Sequence, residues 1–309
     1  MHKRGLGLSR FGPHGRRGGV LVVGDVITDV IVLAEGEMIR GSDRRAAISS
    51  RPGGSGANQA VWLGSLGVQT TLVARVAEAD REGWRQYFAG HGVEAILAGD
   101  PELPTGAIVC IVDGSGERSF FTDRGANGRL SAPDIPARPL ETAALFLVSG
   151  YALFAPGPRE TILALLARAR KLGTSFAVDP ASTAFLAEVG VEPFLDWTRG
   201  AALLLANEDE AQLLTGTADP KDQLALLGLT YQTVVIKRGA KGALVGDRDG
   251  ILHTLPATQV EAIDSTGAGD AFAAGFIAAS LEGEALDAAL ARGIAMGAKA
   301  VTQVGGQPG

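Results

Sequence analysis

Short apolar runs alternate along this chain with longer segments in which apolar residues return at helical spacing. Residues 19–24 hold the run Val20-Leu21-Val22-Val23 closed by Gly24, the pattern of a buried central strand. Residues 68–76, 144–148, 175–178, 202–206 and 233–236 read as further strands. Between them lie helical segments at 82–91 and 159–172, the second ended by Gly173. A glycine-rich turn at 53–56 opens another helix that Gly67 closes. From about residue 143 onward the order is strand, helix, strand. This predicts an α/β fold: a mostly parallel central sheet with helices on both faces. Residues 105–112 and 117–121 alternate around Asp113-Gly114-Ser115-Gly116, a β-hairpin signature. Together with the more polar residues 33–50, they predict a small antiparallel sheet, a lid that excludes water from a site.

One stretch carries the clearest chemistry: Asp264-Ser265-Thr266-Gly267-Ala268-Gly269-Asp270, followed by an apolar helical run. Gly267, Ala268 and Gly269 make a turn almost without side chains into a helix N-terminus, whose free N–H groups and dipole cradle an anion. Asp270 stands at the mouth of that cradle, where the helix terminus favours its ionised form. Beside a transferring phosphoryl group, Asp270 can take the proton of an attacking hydroxyl. The plainer reading is an ordinary loop with Asp270 as the helix N-cap, a position where Asp is favoured.

Other candidates lie past strand ends, where open α/β sheets bind ligands. Asp25 and Asp29 follow the first strand and can accept hydrogen bonds from a polyol, or serve as turn residues. Gly53 and Gly54 allow close backbone approach, with Asn58 as the polar contact. The turn is neither a Walker A loop nor a dinucleotide fingerprint, because no Gly-Lys-Ser/Thr follows and Gln59 replaces the third glycine. Asn207 and Glu210 suit a capping box, and equally the ordering of a hydrated Mg²⁺. Gly239 and Gly242 suit a hairpin or a nucleotide lying against backbone. Arg124 leaves the lid facing either the site or solvent.

Composition narrows the classes. The chain has 309 residues, 46% hydrophobic and 20% charged, with net charge −6. That is a globular composition without the global cationic footprint of a nucleic-acid binder. One cysteine, Cys110, rules out a disulfide scaffold and predicts a reducing, cytoplasmic setting. Four scattered histidines form no metal pattern, and no apolar run reaches membrane-spanning length. Residues 1–18 are basic and glycine-rich, without a continuous apolar segment. They read as a disordered tail rather than a secretory signal, ahead of one domain over 19–309.

These pieces resemble the ribokinase-like, or PfkB, family of carbohydrate kinases over residues 19–309. The resemblance rests on Gly53-Gly54-Ser55-Gly56-Ala57-Asn58-Gln59-Ala60, on Asn207-x-x-Glu210, and on Asp264-Ser265-Thr266-Gly267-Ala268-Gly269-Asp270-Ala271-Phe272. It implies an ATP-dependent kinase acting on a sugar or nucleoside hydroxyl. Asp270 would then be the base, and Gly267, Ala268 and Gly269 the anion hole. Asp25, Asp29, Gly53, Gly54, Asn58 and Arg124 would hold the acceptor. Asn207 and Glu210 would serve Mg²⁺ through water, and Lys237, Gly239, Gly242 and Thr266 would lie near ATP. A monovalent cation such as K⁺ would sit by Asp264, Thr266 and Gly305, and the chain would dimerise through its lid. Ribokinases carry Asn where this chain has Ile27 and Lys where it has Ser55, which argues against ribose itself. The reading is a sugar kinase, with a nucleoside kinase (adenosine- or pseudouridine-type) and a non-catalytic ligand-binding protein as alternatives.

Overall fold

The computed structural model describes residues 18–37, 40–112 and 118–309. The expected N-terminal tail, apart from Gly18, and the turn at 113–116 lie outside the described residues. The strands are β1 (Val20–Val23), β2 (Ile27–Ala34), β3 (Ala46–Gly53), β4 (Thr70–Ala77), β5 (Val93–Asp100), β6 (Gly106–Val112) and β7 (Arg118–Asp123). They continue as β8 (Leu145–Ser149), β9 (Ser175–Asp179), β10 (Leu203–Asn207), β11 (Thr233–Lys237), β12 (Ala243–Asp247) and β13 (Gly250–Leu255). Nine form one sheet in the order β13-β12-β11-β10-β9-β8-β1-β4-β5, parallel except where β12 meets β11 and β13. The rest form a smaller sheet, β3-β2-β6-β7.

Two apolar layers hold helices to the two faces of the large sheet. Successive strand residues point to opposite faces, and β1 shows the division. Val20 and Val22 enter one layer, with Trp62 and Phe276, while Leu21 and Val23 enter the other, with Ile162 and Phe194. Leu203 and Leu205 of β10 divide from Leu204 and Ala206 in the same way. Burial on both faces is why these strands read as unbroken apolar runs. Among the described residues, no helix is long and apolar enough to cross a membrane.

The smaller sheet departs from expectation in detail. β2 pairs antiparallel with β3 but parallel with β6, and β6 pairs antiparallel with β7. β2 also begins at Ile27, so Asp29 lies inside a strand rather than in a turn after β1. Phe120 and Phe121 are neighbours in β7 and so point to opposite faces, yet both are more than 60% exposed. Both faces of that strand therefore meet solvent, and the sheet projects from the main body.

Candidate active site

Helix Ala268–Leu281 starts at Gly267, whose φ of 71° is a left-handed conformation that glycine adopts without strain. A Cβ at Gly267 would lie 2.4 Å from the carbonyl oxygen of Gly306, so the turn is packed against the C-terminal loop. Asp264 ties the two together: Oδ1 accepts from the Thr266 amide at 3.0 Å and hydroxyl at 2.7 Å, and Oδ2 accepts from the Gly305 amide at 3.0 Å. Trp62 Nε1 donates to the Gly306 carbonyl at 2.9 Å from the opposite side. The first turn of this helix lines a cavity of about 700 Å³; the Ala268 amide donates to the Ser265 carbonyl at 3.3 Å, and the Gly269 and Asp270 amides that follow have no acceptor within the helix.

Asp270 is the third residue of that helix. Ser55 Oγ donates to its Oδ1 at 2.8 Å, and Asn58 Nδ2 donates to its Oδ2 at 3.0 Å. Both donors belong to helix Ser55–Ser65, so the two glycine-rich motifs, 215 and 212 residues from Asp270 in sequence, meet at one carboxylate. Burial, reinforced by Asp179, pushes the Asp270 carboxyl up to about 7, although Asn58, Ser55 and Lys237 pull the other way. Sequence reasoning from the helix terminus expected it fully ionised at neutral pH. Desolvation outweighs that effect, and the group is poised near neutrality.

Beside the same turn, Lys237 Nζ donates to Asp179 Oδ2 at 2.9 Å. Burial opposes the lysine's charge, but Asp179, Glu210 and Asp270 outweigh it and hold the ammonium above its usual range. Asn207 and Glu210 form the expected capping box: Glu210 N donates to Asn207 Oδ1 and Asn207 N to Glu210 Oε2, each at 2.8 Å. Burial, followed by the charge of Asp179, pushes the Glu210 carboxyl up to about 7. Asn207→Ala should therefore cost about 1 kcal/mol of stability through the lost cap alone. Urea denaturation checks this; an unchanged midpoint would show that the cap contributes nothing.

On the opposite wall, Asp25 Oδ1 accepts from the Gly56 amide at 3.1 Å, so half of its carboxylate is spent on a helix terminus. Burial and then Asp25 push the Asp29 carboxyl up to about 7. Gly53 is not in the cavity wall. A Cβ there would lie 2.2 Å from Asp29 Oδ2, so its bareness seats that carboxylate. Gly54, at φ 93°, likewise lets the chain pass 2.6 Å from where a Cβ would meet the Asp25 carbonyl oxygen. The Arg124 guanidinium lies over the rings of Tyr151 and Phe185, 5.3 and 5.8 Å from their centroids.

Fifteen expected residues line this one cavity: Asp25, Asp29, Gly54, Asn58, Arg124, Asn207, Glu210, Lys237, Gly239, Gly242, Thr266, Gly267, Ala268, Gly269 and Asp270. Gly53, Asp264 and Gly305 stand behind it as supports. The segment Gly239–Lys241 is a single 3-10 turn joining antiparallel β11 and β12, so it is both a hairpin and part of the wall. Sequence reasoning did not single out Asp179, Tyr151 or Phe185 for the site, and named Ser55 only as a departure from ribokinases that bears on the acceptor. Asp179, ending a strand next to Pro180, carried a positional signal; Tyr151 and Phe185 carried none.

A model described as "pfkB family carbohydrate kinase" matches residues 18–309. The chain is 30% identical to a ribokinase of Haemophilus influenzae over 281 residues, 88% of this chain and 87% of that protein. It is 30% identical to an aminoimidazole riboside kinase of Salmonella typhimurium over 301 residues, covering 93% and 90%. A ribokinase structure from Thermotoga maritima superposes with a TM-score of 0.79 at 26% identity, over 94% of this chain and 95% of that one. The chain belongs to the pfkB family of carbohydrate kinases and is a phosphotransferase with a hydroxyl acceptor.

Proposed function

We propose that this protein is an ATP-dependent kinase that transfers the γ-phosphoryl group to a hydroxyl of a small sugar or sugar derivative. The observation that carries the reading is Asp270, half-buried at a helix N-terminus and held by Ser55 and Asn58 with its carboxyl near 7. A general base works best when its pKa lies near the working pH. Asp270 takes the acceptor's proton while the amides of Gly267, Ala268 and Gly269 face the charge on the transferring group. Asn58 turns Nδ2 toward Asp270, and among the described residues its buried Oδ1 has no partner. Asp25, Asp29 and Gly54 form the polyol side of the pocket.

On the ATP side lie Asn207, Glu210, Lys237, Gly239, Gly242 and Thr266. Asp179, Glu210 and Asp270 crowd around one ammonium, and this surplus of negative charge fits a cation. Among the described residues, no three His, Cys, Asp or Glu side chains converge to hold a bare metal ion. Mg²⁺ carried by ATP and reached through water is the form that fits, and it would neutralise phosphate charge. Asp264, Thr266 and Gly305 satisfy one another as a brace, so no step is routed through K⁺.

Sugar is preferred to nucleoside because Arg124 already covers the ring faces of Tyr151 and Phe185 that a base would stack on. The same aromatic pair favours the nucleoside reading if Arg124 swings away. The exposed Ile48, Phe120 and Phe121 of the smaller sheet suit pairing with a second copy, which light scattering tests.

ADP release with ATP and Mg²⁺ across sugars and nucleosides tests the reading: one acceptor class should stimulate it. With that acceptor, kcat/KM should fall tenfold per pH unit below about 7, as protonation disables Asp270. A profile flat down to pH 5 would remove Asp270 as the base.

A further inference from the structure

Asp179, Asn207 and Lys237 are the last residues of the neighbouring parallel strands β9, β10 and β11. From that edge the Lys237 side chain reaches across to Asp179 and lies directly against the anion-hole turn. A Cβ built on Gly269 would be 3.3 Å from its Nζ, the nearest heavy atom to that position. An ammonium has three donors; Asp179 takes one, and among the described residues no other acceptor lies at hydrogen-bond distance. The remaining donors belong to a partly buried side chain that lines the cavity. Arg124 is the only other cation in the described wall, and it is engaged over two aromatic rings on the acceptor side. Asp179 is itself held: its Oδ1 accepts from the amide of Ala181 at 3.1 Å. Ala181 is the one described non-glycine residue with positive φ, at 70°, a strained conformation of the kind found at functional sites.

We propose that Lys237 is a catalytic residue whose ammonium contacts the phosphoryl group in transfer, and that Asp179 is the positioning residue that holds it over the anion hole. This rests on the kinase reading above. The acceptor oxygen forms a bond to the γ-phosphorus as the bond to the β–γ bridging oxygen breaks. The electron pair leaves with ADP and the acceptor's proton passes to Asp270. Charge gathers on the three peripheral oxygens of the moving group, where the turn's amides and the adjacent Lys237 donors meet it together. Asp179 also keeps the ammonium from settling on Asp270, where it would disable the base.

The test compares Lys237→Met, Lys237→Arg and Asp179→Asn with the unaltered enzyme, using the acceptor found by the panel. Lys237→Met should lower kcat by about 10²–10³-fold while the KM for ATP moves little, because the contact matters most in the transition state. Lys237→Arg should recover part of the loss. Asp179→Asn should lower kcat by roughly tenfold, again with KM for ATP little changed. A readout independent of turnover is calorimetric binding of Mg²⁺ and ADP with and without aluminium fluoride, a mimic of the moving phosphoryl group. The tightening produced by aluminium fluoride in the unaltered enzyme should vanish in Lys237→Met. If Lys237→Met does not fold, the double variant Asp179→Asn with Lys237→Met removes both charges and should show the same fall in kcat. A kcat within about threefold of the unaltered enzyme in either variant, or a loss confined to KM, overturns the proposal. An unaltered protein that neither binds ATP nor releases ADP with any acceptor removes the kinase reading as well.

Discussion

Asp270→Asn should lower kcat by roughly 10²–10⁴-fold, the usual contribution of a positioned proton acceptor. The amide keeps the shape of the carboxyl, and Ser55 can still donate to its oxygen. On the proposed reading ATP meets mainly the turn's backbone and the opposite wall, so ATP binding should persist. The same substitution should also change stability in a pH-dependent direction. The folded carboxyl sits near 7, well above its ordinary value, because burial opposes its charge. Folding therefore favours the protonated form, and this group's contribution to stability is lost as pH rises from about 4 through 7. Removing the charge should raise the melting temperature at pH 8 and leave it nearly unchanged at pH 4. Thermal melts at the two pH values, beside steady-state kinetics, check both halves. Near-normal turnover would remove the base assignment, and a lower melting temperature at pH 8 would show that Asp270 is not paying a desolvation cost.

A residue that loses activity and gains stability when neutralised marks a place where folding and catalysis disagree. Asp29 and Glu210 are in the same condition, each pushed up to about 7 by burial first and a neighbouring carboxylate second. Three raised carboxyls in one cavity, beside the Lys237–Asp179 ion pair, are the kind of cluster that the proposed kinase site would use.

How far such a site is legible beforehand depends on how local its causes are. The turn at Gly267 to Gly269 and the capping box at Asn207 and Glu210 are short-range objects, and the sequence reading found both. The apolar strands were legible because burial on both faces removes polar residues from them. β3 was placed only within residues 33–50, without its bounds: its residues Ile48 to Arg51 are exposed, so nothing forces its composition toward alternation. The roles of Asp179 and Ser55 escaped because they come from what those side chains touch, at 58 and 215 residues' distance. Tyr151 and Phe185 could not be told from core aromatics until Arg124 was seen above them. The Asp270 carboxyl is pushed up to about 7 instead of being held ionised, for a similar reason: its desolvation is made by the whole fold, while the helix terminus is local.

Gly267→Ala should be the most damaging change that leaves every charged group in place. A left-handed conformation costs a non-glycine residue about 1–2 kcal/mol. The new Cβ would also lie 2.4 to 2.8 Å from three backbone atoms of Gly306, which cannot rotate away as a side chain would. That loop is strapped by Asp264 through Gly305 and by Trp62 through Gly306, so the turn or the straps must move. Amides aimed at developing charge tolerate little displacement, and kcat should fall by about 10²–10³-fold with a lower melting temperature. Gly269→Ala is the informative contrast. Its Cβ would meet only the flexible end of Lys237, at 3.3 Å, and it sits inside the helix, where alanine is favoured. Stability should hold or rise, while kcat falls about tenfold through the displaced ammonium. If both variants lose activity only in proportion to stability, the turn is a structural element and not an anion hole. If Gly269→Ala loses activity at full stability, the turn and the lysine act on the same moving group.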